Sequence, residues 1–245
     1  IGGTVARIFA REGANVFLAG RTIEALVKVA EDIRSTGGRA ETARMDATDP
    51  QCVADHLAST VGKAGGVDIS FNLISLSDVQ GQELVKMSLD DYMRPIQIGA
   101  RAHFITATAA ARYMTERSRG VIMAMTATPS RLALPLVGGF GTACGAIEGM
   151  LRTLAAEVGP QGVRVTWLRS AGSPETFGAK ETVDVDGGAA GLSDNDYLDA
   201  LRGTTLLKRF PRASEIREAA AIIASDRASA MTGAAANLTC GQIVD

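Results

Sequence analysis

Cysteine, histidine and surplus positive charge are scarce in this chain. The three cysteines, Cys52, Cys144 and Cys240, are odd in number and far apart. That spacing suits neither a disulfide framework nor a zinc site. His56 and His103 are the only two histidines, too few to assemble a metal centre, so no metal is expected. With 25 Lys+Arg against 27 Asp+Glu the formal charge is −2. No basic excess is present to grip a phosphate backbone, so nucleic acid is a poor partner. No apolar run approaches the roughly 20 residues that a membrane-spanning helix needs. The chain therefore reads as a soluble domain of a reducing compartment, and a cytoplasmic location is the expectation.

What is present is rhythm. Short apolar stretches such as Ala14 to Ala19, Val67 to Ile74, Val121 to Met125 and Val163 to Leu168 read as buried strands. Between them lie longer patterns of helical period, as at Ile23 to Thr36, Leu89 to Met114 and Phe140 to Val158. Strands separated by helices of this length are βαβ units, which imply a doubly wound parallel sheet with helices on both faces. Ligands of such folds sit in the crevice at the strand C-termini. The rhythm breaks over residues 171–210, where Gly187-Gly188 and two acidic turns intervene. That segment is expected to form a lid over the crevice. No repeat and no second domain is evident in 1–245.

Several passages together resemble the short-chain dehydrogenase/reductase family across essentially the whole chain. They include Asp46-Ala47 before Thr48-Asp49, and Asp68-Ile69 leading to Asn72. The passage from Leu154 through Pro160-Gln161-Gly162 to Val165 is the most characteristic, and Thr232-Gly233 through Leu238 resembles the family's closing strand. The resemblance implies a Rossmann-type fold, and it makes Ile1-Gly2 the end of a glycine-rich turn. The family's first strand would then precede residue 1, so upstream residues are expected in the natural protein.

For the cofactor, the resemblance implies that Gly2 opens the helix whose N-terminus faces a pyrophosphate. Asp46 and Ala47 take the adenine-contact positions, and Asn72 begins the loop beneath the ribose, where Leu73-Ile74-Ser75 replace Asn, Ala and Gly. Thr176 takes the nicotinamide-amide position. At the end of the second expected strand Gly20 stands where a carboxylate would hold a ribose 2′-OH, and Arg21 follows. A guanidinium there suits a 2′-phosphate, so NADP(H) is expected.

The catalytic positions depart from the family. Its Asn, Ser, Tyr and Lys fall at Gly99, Ala127, Phe140 and Cys144 in this sequence. None of the four keeps its donor, acid or charge. Thr126 and Thr128 flank the serine position, and a one-residue register slip would bring one of them in. No slip brings a tyrosine: the three are Tyr92, Tyr113 and Tyr197. The wider Tyr–Lys spacing of enoyl reductases also fails, since no lysine lies between Lys86 and Lys180. Cys144 reads either as a nucleophile served by His103 or as a packed, inert thiol.

Three readings follow. One is a divergent oxidoreductase, another a non-catalytic subunit or nicotinamide sensor that partners an active relative. The third is a dehydratase, cyclase or isomerase built in the same crevice. Small residues along the Leu89 and Phe140 helices, including Ala100, Ala107, Gly145 and Gly149, match the family's helical interface and imply a homodimer or homotetramer.

Overall fold

The computed structural model describes residues 1–174, 191 and 193–244. In chain order it runs α1 (Gly2–Arg11), β1 (Asn15–Gly20), α2 (Ile23–Ser35), β2 (Arg39–Arg44), α3 (Pro50–Ala64) and β3 (Ile69–Asn72). It continues α4 (Leu89–Glu116), β4 (Gly120–Ala127), α5 (Phe140–Val158), β5 (Val163–Ser170), α6 (Asp194–Thr204), α7 (Ala213–Ala224) and β6 (Ala235–Leu238).

Local chemistry sets several of these ends. Asp49 caps α3 by accepting from the Gln51 and Cys52 N–H groups, Pro50 follows at the first helical position, and Gly65 ends the helix at φ 76°. Ser88 caps α4 by accepting from the Asp91 N–H. The start of α5 has no such cap. It is fixed instead by close approach: a Cβ on Gly139 would stand 1.9 Å from the Tyr92 carbonyl oxygen, so only glycine fits where α4 and α5 meet.

All strand pairings are parallel, as the βαβ rhythm predicts, and the fold is Rossmann-like. The sheet comes in two pieces, β1-β2 and β3-β4-β5-β6. One helix bridges them. Ala6 and Ala10 of α1 pack with Ala30, Ile33 and Ala40 beside Val16 and Leu18. Val5 of the same helix joins Met123 and Leu168, with Phe9 against Phe71 at 6.4 Å between ring centroids.

Alternation along β4 divides the core. Val121 and Met123 face α1 and α7, where Ile216 and Ile223 cover them. Ile122 and Ala124 face α4 and α5, with Val165, Trp167, Met114, Ile147 and Leu151.

Both β4 and β5 run two residues beyond the apolar stretches that announce them. Thr126 pairs with Arg169 and Ala127 with Ser170, so the ladder continues past the apolar run. Within the segment expected as a lid, Leu198 to Leu201 form the middle of α6. That helix begins at Asp194 because the Ser193 hydroxyl accepts from the Asp196 N–H. Thr176 and Lys180 lie outside the described residues.

Candidate active-site crevice

Parallel strands bring their C-terminal ends to one edge, and α1 starts at that edge. A Cβ on Gly2 would lie 3.8 Å from Leu73 Cδ1, just past the end of β3. No side chain caps the α1 N-terminus, leaving first-turn N–H groups for an anion. The contact at Gly2 is an ordinary one, so its neighbours do not demand glycine. Gly3 is tighter: a Cβ there would meet Val29 Cγ2 at 3.2 Å and Arg7 Nη1 at 3.1 Å, so the packing of α1 on α2 falls to Gly3.

Along the edge, Arg21 follows β1 and is exposed, with no carboxylate in ion-pair distance among the described residues. Its charge reaches Asp46. That carboxylate accepts from the Thr48 N–H at 2.9 Å and the Thr48 hydroxyl at 2.7 Å, and these bonds hold its pKa down, with Arg21 and Arg101 adding to the effect. Arg101 braces the same turn from α4 by donating to the Thr48 carbonyl at 2.7 Å. Ala47 is half-buried in it. Asn72 ends β3 buried, with its Nδ2 lacking a protein partner. An open helix terminus, an exposed guanidinium and an unpartnered buried amide along one strand edge fit a dinucleotide.

The four departing positions converge at the next strand ends. Ala127 and Phe140 pack against the cluster that contains Cys144, which also contacts the Ala127 backbone. A Cβ on Gly99 would stand 3.2 Å from Leu76 Cδ2 and 3.3 Å from Ile147 Cδ1. Apolar side chains therefore fill the space that a polar side chain at 99 would need.

Burial pushes the Cys144 thiol up to about 12, with Glu148 and Asp78 pushing the same way against the hydrogen bond at Ala127. The thiol is neutral at ordinary pH. His103 does not serve it: its Nδ1 donates to the Gly99 carbonyl at 2.9 Å, and its buried Nε2 has no partner. Burial also lowers the His103 pKa. The thiol is thus packed, and the nucleophile reading lacks its base. Of the tyrosines, Tyr92 shares a hydrogen bond with Thr142 at 3.0 Å, and Tyr113 lies under Arg117 near the end of α4.

Behind this apolar corner lies a charged group that the sequence reading missed. Glu148 stands one turn beyond Cys144 on α5, and Arg169 comes from β5; both side chains are 2% exposed. Arg169 Nε donates to Glu148 Oε1 at 2.9 Å and Arg169 Nη2 to Oε2 at 2.6 Å. The Thr126 and Ser130 hydroxyls donate to Oε1 at 2.8 and 2.7 Å. Burial alone would raise the Glu148 pKa, but these hydrogen bonds and the Arg169 charge outweigh it and hold the pKa below its ordinary value. The available signal was a glutamate on the apolar face of α5 and an arginine ending an apolar strand. Thr126, a candidate for the serine position, is turned away to this group.

A family model described as enoyl-(acyl carrier protein) reductase matches residues 1–242. The chain belongs to the short-chain dehydrogenase/reductase family. It is 29% identical over 234 residues to gluconate 5-dehydrogenase of Gluconobacter oxydans, covering 95% of this chain and 86% of that one. A short-chain dehydrogenase/reductase structure from Mycobacterium marinum superposes with a TM-score of 0.85 at 28% identity, covering 100% of this chain and 91% of that one. At the level of fold alone, an actinorhodin polyketide ketoreductase with NADPH (TM-score 0.89, 20% identity, 98% and 92% coverage) is similar. So is a xylitol dehydrogenase bound to NAD+ (TM-score 0.89, 23% identity, 98% and 93% coverage).

No helix among the described residues is long and apolar enough to cross a membrane. No cluster of three or more His, Cys, Asp or Glu that could hold a metal occurs among them either.

Proposed function

We propose that this short-chain dehydrogenase/reductase binds NADP(H) in a crevice whose usual carbonyl-reducing tetrad is replaced by Gly99, Ala127, Phe140 and Cys144. One observation carries the cofactor choice: Gly20 ends β1 without a carboxylate, and the exposed Arg21 follows it. A 2′-phosphate is drawn to that guanidinium, whereas a free ribose 2′-OH finds no acceptor there. The first-turn N–H groups at Gly2 would hold the pyrophosphate, the Asp46-Ala47 turn the adenine, and Asn72 the ribose side. Thr176 is assigned to the nicotinamide amide by its place in the family pattern.

When bound, the cofactor supplies hydride transfer. What the chain adds is unusual, because Phe140 holds no proton to give and Cys144 no positive charge. Any substrate must therefore be reactive without a tyrosine acid, and redox activity is atypical or low. The apolar filling by Leu76 and Ile147 at Gly99 favours a second reading, a cofactor-binding subunit or nicotinamide sensor beside an active relative. Association as a homodimer or homotetramer is supported by Phe104, which is 55% exposed on α4, and by open space over Gly145 on α5. The segment from 171 to 210 is assigned as the lid by its place after a strand C-terminus; its residues 175–190 and 192 lie outside the described residues.

Titration with NADPH and with NADH, read by quenching of the single Trp167, tests the cofactor claim. Binding of NADPH lost in Arg21→Ala supports it. Binding of neither cofactor removes the redox reading.

A further inference from the structure

The loop after β3 is anchored at two places over the start of α5. Leu76 enters the cluster that holds Ala143, Cys144 and Ile147. Further along, a Cβ on Gly138 would meet the Val79 carbonyl oxygen at 2.6 Å, and the Gly81 N–H donates to the Leu136 carbonyl at 2.8 Å. Asp78 lies between these anchors. Ser77 (φ 54°) and Leu136 (φ 67°) hold left-handed backbone, a conformation that persists in such residues only where packing enforces it.

Asp78 is half-buried, as are Ala127 and Phe140. Gln80 Nε2 donates to Asp78 Oδ2 at 2.5 Å, and among the described residues no Lys or Arg stands within ion-pair distance of the carboxylate. Its negative charge reaches the Cys144 thiol, at the position where the family's lysine would have met it with a positive one. Cys144 leaves that charge unanswered. A cation brought by a ligand is therefore favoured, the more so because the neighbouring side chains are apolar. Phe140 keeps the aromatic face of a tyrosine without its acid, and such a face attracts cations.

We propose that this crevice takes a cationic substrate, an iminium ion, which the Asp78 carboxylate and the Phe140 ring hold. The carbon of an iminium is electrophilic without further protonation, so the missing tyrosine acid is not needed. Hydride from NADPH forms a C–H bond at that carbon, the C=N π electrons become the nitrogen lone pair, and the products are an uncharged amine and NADP+. No proton is taken from the protein. The inference rests on the cofactor reading above, and it adds the class of substrate.

N-methylpyrrolinium, a fixed iminium cation, and cyclopentanone, a neutral ketone of the same ring size, are suitable probes. Their affinities for the full chain would be measured by ligand-observed NMR without cofactor, and NADPH binding followed separately by Trp167 fluorescence. The expected result is a preference for the cation of about three- to tenfold, the range of one partly exposed charge pair, shrinking as salt is added. Asp78→Asn should bring the two affinities within about twofold of each other, and Asp78→Glu, which keeps the charge, should restore the preference. Should Asp78→Asn not fold, the response to salt in the unaltered protein decides the matter. With NADPH present, N-methylpyrrolinium should be converted to N-methylpyrrolidine. Equal affinities, binding of neither probe, a preference unmoved by salt or by Asp78→Asn, or no N-methylpyrrolidine while both ligands bind overturns the proposal. If the cofactor reading is wrong, NADPH binding fails while the cation preference still depends on Asp78; if only the cation assignment is wrong, NADPH binding persists while the probe ratio does not respond.

Discussion

Replacing Glu148 with leucine would remove one side of the buried ion pair while keeping most of the side-chain volume. Arg169 would be left 2% exposed without the carboxylate that takes two of its N–H groups. The Thr126 and Ser130 hydroxyls would lose the same acceptor. Breaking a buried pair from one side costs about 3–5 kcal/mol, because the surviving charge stays desolvated. For a domain of this size that lowers Tm by roughly 6–20 °C. Urea unfolding followed by Trp167 is a suitable assay, since Arg152 lies 5.9 Å from the Trp167 ring centroid and 3.8 Å from Glu148 Oε2. The reporter therefore sits beside the perturbation.

The double variant Glu148→Leu/Arg169→Met is the control. With both charges gone no buried guanidinium has lost this carboxylate, so it should be more stable than Glu148→Leu alone. The sign with pH follows from the lowered Glu148 pKa. A carboxyl whose folded pKa is depressed contributes stability above its unfolded value, ordinarily near 4.5. That contribution is lost as the pH falls through the folded value. The unaltered protein should therefore lose stability on acidification below that ordinary value more steeply than the double variant. A cost below about 1 kcal/mol for Glu148→Leu, or a double variant no better than the single, would refute the buried-pair reasoning.

Arg21→Ala should weaken NADPH binding by roughly 10- to 100-fold, the range of one charged hydrogen bond, and leave NADH nearly unchanged; calorimetry checks both. Cys144 should resist a thiol reagent at neutral pH in the folded protein, since its thiol titrates near 12 and is buried; counting modified cysteines by mass spectrometry before and after denaturation checks this. Gly99→Asn should destabilise the protein by about 1–3 kcal/mol through overpacking against Leu76 and Ile147. A neutral effect in urea unfolding would show that the corner has room. Light scattering at micromolar concentration should give the mass of a dimer or tetramer, and a monomer mass would remove the assignment of the α4 and α5 faces.

The strand–helix rhythm was legible because a parallel strand covered on both faces must be apolar throughout, and the covering helices must each bury one stripe. Asp49-Pro50 and Ser88 fix the starts of their helices through side-chain chemistry that acts within three residues. The ends of β4 and β5 were not legible, because Thr126 and Arg169 are polar and are held in the ladder by each other's backbone. Glu148 was hidden for a related reason. A charged residue on a helix reads as solvated until the strand across from it is known to carry the opposite charge.

Sequence alone thus determined the doubly wound class, the order of its elements and the residue types at Gly99, Ala127, Phe140 and Cys144. These depend on residue identity and short-range periodicity. Tertiary structure alone decided that the gap at Gly99 is filled by Leu76 and Ile147, that Cys144 is a packed thiol while His103 bonds the Gly99 carbonyl, and that Ser130 donates a hydrogen bond to Glu148. Each of these joins residues from separate elements, and burial and hydrogen-bond direction have no value until those elements are packed together.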